Sequence, residues 1–85
     1  MTSYRVFIAA EVIVTLRTRP RREQFNITRL FDELAQDPYR LDDYAEQDEI
    51  GRLIRVVIIA SSAVCCWADH AVKEVKIVDL KSAGG

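Results

Sequence analysis

The sequence predicts an α+β domain whose helical part is gathered on one side of a mostly antiparallel sheet. Three observations carry this. Residues 21–36 repeat apolar side chains at spacings of three and four. Residues 52–80 divide into three short β-branched stretches separated by tight turns. A short apolar stretch, residues 4–10, precedes both.

Taken in order, residues 4–10, with Val6 and Ile8, read as a first strand. Residues 11–17 read two ways. Val12, Ile13, Val14 and Thr15 favour a strand, while Val12 and Leu16, four apart, suit a short helix. Thr18, Arg19 and Pro20 read as a helix start, since threonine can cap free amides and proline is tolerated in a first turn. Ile27, Leu30, Phe31, Leu34 and Ala35 then form one apolar helix face that must pack against a sheet. Asp37 and Pro38 end the helix, because proline disfavours helical geometry in the residue before it.

Residues 39–51 carry Asp42, Asp43, Glu46, Asp48 and Glu49 and read as a surface connection ending in a turn at Gly51. Residues 52–60, 63–68 and 73–80 are the three later strands, with turns at 60–63 and 69–72 short enough for hairpins. Residues 1–85 form one domain with its core in 4–80 and a small polar tail, 81–85, that frays.

A chain of 85 residues buries only roughly 60% of the surface its unfolded form exposes, so the core is economical and a large ligand-holding barrel is excluded. With 49% hydrophobic residues and a formal net charge of -1, the chain is not of the disordered class. The two cysteines, Cys65 and Cys66, are adjacent; on a strand they point to opposite faces and read as reduced, packed thiols. With His70 the only histidine, no metal site is expected, nor any cofactor. No targeting segment is read, and the longest apolar run is too short to span a bilayer, so a cytoplasmic protein without membrane contact is expected.

Charge is unevenly spread. Arg17, Arg19, Arg21, Arg22 and Arg29 crowd the helical region with only Glu23 opposing them, and carboxylates dominate from Asp32 to Glu49. These are either two solvated faces of opposite sign, or a basic helical edge for nucleic acid or an acidic partner. Trp67 alternates with Ala63 and Cys65 and reads as core; with Tyr39 and Tyr44 it is also a candidate for stacking on bases.

The order and spacing of several short pieces resemble the RelE/ParE toxin superfamily of toxin–antitoxin systems. The pieces are Tyr4-Arg5-Val6, Leu16-Arg17-Thr18-Arg19-Pro20 and Leu34-Ala35-Gln36-Asp37-Pro38-Tyr39. Asp43-Tyr44, Asp48-Glu49-Ile50-Gly51-Arg52, Trp67-Ala68-Asp69-His70 and Lys73-Glu74-Val75-Lys76-Ile77 complete them. The resemblance implies an N-terminal strand, a helical hairpin that includes residues 11–17, and a three-stranded antiparallel meander. It also implies a small cognate antitoxin and one of two targets, the ribosome with its mRNA or DNA gyrase. A homodimer stays open.

RelE-like members cut mRNA with arginines and lysines that balance charge on the phosphate, without metal. Carried over, Arg52 and Arg55 fit the second-strand positions, and His70 is a candidate acid or base. Arg52 and Arg55 are three apart and face opposite ways, and Arg55 is expected in the concave site because Ile54 and Val56 face away from it. The family's tyrosine–arginine pair at the next hairpin is replaced by Ser62-Ala63, and no arginine or tyrosine follows Lys81. With a pI of about 5.8 the chain also lacks the basic surplus that phosphate contacts require. A degenerate, non-catalytic binding module is therefore the alternative to a ribonuclease.

Overall fold

The structure is a computed structural model and describes residues 3–39 and 44–83. Its elements in chain order are β1 (Arg5–Ile8), α1 (Ala10–Arg17), α2 (Arg21–Gln36), β2 (Tyr44–Gln47), β3 (Leu53–Ile59), β4 (Ser62–Asp69) and β5 (Glu74–Ser82). The strands form one five-stranded sheet in the order β1-β5-β4-β3-β2. The antiparallel meander β3-β4-β5 is its centre, and both helices lie on one face. The α+β class and the helical hairpin are as expected.

Helix α2 begins and ends where its apolar period predicts and buries the same five residues, Ile27, Leu30, Phe31, Leu34 and Ala35. They meet Val57, Val64, Cys66, Val75, Ile77 and Leu80 from the sheet, with Val12 of α1 in the same cluster. The β-branched segment 11–17 is a helix because Val12 and Leu16, one turn apart, both pack into that cluster. Burial against β5 overrides local strand propensity.

Several boundaries differ from expectation. The first strand stops at Ile8, and Ala9, still extended, starts α1. Thr18 does not cap α2: it closes α1, its hydroxyl donating to the Thr15 carbonyl at 2.6 Å. Pro20 occupies the cap position itself, and the Gln24 side chain reaches back to the Arg19 carbonyl (2.8 Å). The expected surface connection contains a strand: β2 pairs antiparallel with β3, Tyr44 opposite Val56 and Gln47 opposite Leu53. Asp42 and Asp43 lie outside the described residues. The last strand runs on to Ser82, past the expected end at Leu80, and Ala83 donates to the Ser61 carbonyl.

Two connections fix the sheet's edges. β1 lies parallel to β5, Arg5 opposite Glu74 and Ile8 opposite Ile77, so the sheet is mixed. Between β2 and β3, Asp48 Oδ1 accepts from the Ile50 and Arg52 amides (3.1 and 2.7 Å). Gly51 takes φ +82° there, a conformation that costs other residues energy. A register shift between Cys65 and Cys66 inserts Val78 as an extra residue in β5, since Cys65 faces Asp79 and Cys66 faces Ile77.

Candidate functional site

The face opposite the helices is open, and strand alternation decides what it shows. Ile54, Val56, Ala63 and Cys65 are buried there as a second small cluster, with Trp67, Val78 and Ala83 packed on it. Cys66, one residue on, sits in the helix-side core, so the cysteine pair divides between faces as expected. Burial pushes the Cys65 thiol above its ordinary pKa, opposed by Lys81 and reinforced by Glu46 and Asp79. That thiol is a packing group and a poor nucleophile.

Around this aliphatic centre the cations are tied to carboxylates. Lys76 Nζ lies 3.2 Å from Asp69 Oδ2 and 3.9 Å from Glu74 Oε1, and Arg5 lies 3.4 Å from Glu74. Lys81 Nζ meets Glu46 Oε1 at 3.2 Å, and Arg52 Nε stands 3.6 Å from Asp48 Oδ2. Arg52 and Lys76 also approach the Trp67 ring, 4.4 and 4.9 Å from its centroid. Trp67 thus sits among cations on the open face and not in the helix-side core.

The hydrogen bond from Lys76 holds the Asp69 carboxyl below its ordinary pKa. A depressed folded-state pKa contributes stability that is present above the unfolded value, about 3.9, and lost as pH falls through the folded value. Asp69→Asn is therefore expected to flatten the acid limb of the stability profile below about pH 4. Urea titrations of both proteins across that range check it; parallel acid limbs would contradict the pairing.

The structure separates the two strand arginines. Arg52 precedes β3 on the open side. Arg55 points to the helix side, where its Nη1 donates to the Pro38 carbonyl at 2.5 Å, just beyond α2. Its neighbours Ile54 and Val56 do face away from it, but they face the open side, so Arg55 is not in the open concavity as expected. His70 follows β4 in the turn to β5 and is not with Arg52.

His70 belongs instead to an aromatic cluster beside the C-terminal end of α2. The Tyr4 hydroxyl lies 2.9 Å from His70 Nδ1 and 3.5 Å from the Tyr39 hydroxyl. Tyr39 stacks on the imidazole at 4.9 Å, within 4° of parallel. The Tyr39 hydrogen bond, with burial, raises the Tyr4 pKa. Sequence reading missed Tyr4, because its contact with His70 spans 66 positions. It also missed Lys76, Glu46 and Lys81, although the polar alternation of β5 marks Lys76 as facing away from the core.

On the helical hairpin Arg17, Arg21, Arg22 and Arg29 are exposed. Arg19 is half-buried, its Nε without a hydrogen-bond partner, and Arg29 stands 3.9 Å from Glu33. Val14 (64% exposed) and Phe25 (61%) are apolar residues left uncovered on the two helices. A groove of about 230 Å³ runs between α2 and the β3–β4 turn, lined by Asn26, Arg29, Leu30, Glu33, Ile59 and Ala60. Among the described residues no His, Cys, Asp and Glu cluster is placed to hold a metal, and no helix is long and apolar enough to cross a membrane.

No protein-family model and no curated protein matches the sequence. Solved structures do. One is a chain of the archaeal RelE-RelB complex from Pyrococcus horikoshii OT3, with a TM-score of 0.82 at 20% identity over 98% of both chains. Another is in the toxin-antitoxin complex RelBE2 from Mycobacterium tuberculosis, with a TM-score of 0.78 at 16% identity over 100% of this chain and 97% of that one. The strand order, the hairpin on one face and these near full-length superpositions together show that this chain has the fold of those chains of the RelE-RelB and RelBE2 complexes.

Proposed function

We propose that this chain is the toxin-fold member of a toxin–antitoxin pair that restrains growth by binding its target, and not by cutting RNA. The carrying observation is the aliphatic centre of the open face, Ile54, Val56, Ala63 and Cys65, ringed by cations already held by carboxylates. Phosphoryl transfer without metal needs cations free to meet developing charge, and among the described residues Arg52, Lys76 and Lys81 on this face are each held by a carboxylate. Of the two targets the family offers, DNA gyrase fits better, because its inhibition requires no nuclease residues. The antitoxin's place is the groove beside α2, with Phe25 and Arg29 at hand for an apolar and acidic segment.

One observation favours the second reading. Tyr4, Tyr39 and His70 bring an acid–base group and an exposed stacking ring together, as a nuclease site would. Induced expression in a bacterial host, with labelled methionine and thymidine followed together and mRNA ends mapped, separates the two. The expected result is growth arrest in which thymidine incorporation falls first and no new mRNA ends appear. Early loss of methionine incorporation with new ends, relieved by His70→Ala, would establish cleavage instead.

A further inference from the structure

The open face carries a cleft. It encloses about 270 Å³ at the β2 end of the face and is lined by Glu46, Gln47, Asp48, Arg52, Ile54, Cys65, Val78 and Asp79. Ile54, Cys65 and Val78, members of the open-side apolar cluster, form its floor. The bulge in β5 is what shapes it, because Val78 and Asp79, consecutive in sequence, both line the same cleft.

We propose that this cleft is a docking site for an arginine side chain carried by a partner protein. The floor suits the aliphatic stem of that side chain, and the mouth suits its charge. The lining holds three carboxylates against one guanidinium, and that guanidinium is drawn aside over Trp67.

Oxygen bookkeeping narrows the contact. Both Asp48 oxygens are engaged, one by the Ile50 and Arg52 amides and the other by Arg52 Nε. Glu46 gives Oε1 to Lys81, and Asp79 gives Oδ1 to the Leu80 amide at 2.9 Å. Among the described residues, Glu46 Oε2 and Asp79 Oδ2 keep acceptor capacity, one on β2 and one on β5. A planar guanidinium with five donors can bridge two such carboxylates, whereas an ammonium is a compact, strongly hydrated point charge.

A protein segment fits better than a free guanidinium compound, because a second hollow adjoins the first through Asp48. It is bounded by Asp48, Glu49 and Ile50, and Ile50 is 76% exposed, an apolar rest for a residue flanking the arginine.

Trp67 is the sole tryptophan and touches Arg52, so its fluorescence reports on the cleft wall. The test titrates the intact protein with a capped tripeptide, arginine between two leucines, and follows Trp67 emission and the Ile54 and Val78 methyl resonances. Saturable shifts at those methyls are expected, with affinity about tenfold weaker for the neutral citrulline peptide and for Asp79→Asn, because each removes a charge-assisted contact. Asp69→Asn, outside the cleft, should bind as the wild type does. Equal binding of the citrulline peptide, shifts confined to other residues, or no saturable binding would overturn the proposal. So would free arginine binding as tightly as the peptide, since the site would then take a small molecule.

Discussion

Leu34→Ala is expected to lower stability by about 3 kcal/mol or more, the largest effect of any single truncation considered for this chain. Leu34 is fully buried near the C-terminal end of the α2 face and belongs to the cluster that joins both helices to β3, β4 and β5. Removing its terminal carbons forfeits their transfer free energy and leaves a cavity that the surrounding β-branched residues, stiff about their first side-chain bond, fill poorly. For 85 residues the whole stability is on the order of 4–13 kcal/mol, so the loss is a large share of it. Thermal unfolding should show the melting temperature falling by roughly 15 °C. A fall of only a few degrees would mean that the helix-side core repacks around the gap.

The second prediction concerns Arg55. Its substitution by alanine should cost about 1.5–3 kcal/mol, the range for a hydrogen bond to a charged group. The guanidinium donates to the carbonyl of buried Pro38, where the chain leaves α2, so β3 fastens the end of the helix through this side chain. Urea unfolding should show a lower midpoint with an unchanged slope. An unchanged midpoint would remove the structural role and reopen the catalytic one. The consequence for activity assays is direct. Loss of toxicity in Arg55→Ala carries no catalytic meaning until it is compared with a variant of similar destabilisation, for which Leu80→Ala, expected to cost about 2–5 kcal/mol, is a suitable control because Leu80 is buried on β5.

What could be read in the sequence follows from how local each cause is. The period of α2 is a property of the segment itself, and its five apolar residues named the buried face. The split of Cys65 and Cys66, and of Arg52 and Arg55, follows from strand alternation alone. Alternation does not say which face the helices cover, and that is why Arg55 was expected on the wrong side. β2 left no local mark: its four residues, Tyr44 to Gln47, are all exposed and are a strand only because β3 lies beside them. The parallel pairing of β1 with β5 and the meeting of Tyr4 with His70 depend on residues almost the whole chain apart. The β5 bulge that forms the cleft is likewise a matter of register between strands, invisible in either one.

The β1–β5 pairing bears on how the molecule comes to exist. Among the described residues β1 has β5 as its sheet neighbour, so its backbone must wait unpaired until the intervening chain and β5 have been made. Closing so long a loop is entropically costly before any contact rewards it, which makes folding slow for a domain of this size. During that interval the nascent chain presents an apolar edge that chaperones or a partner can capture.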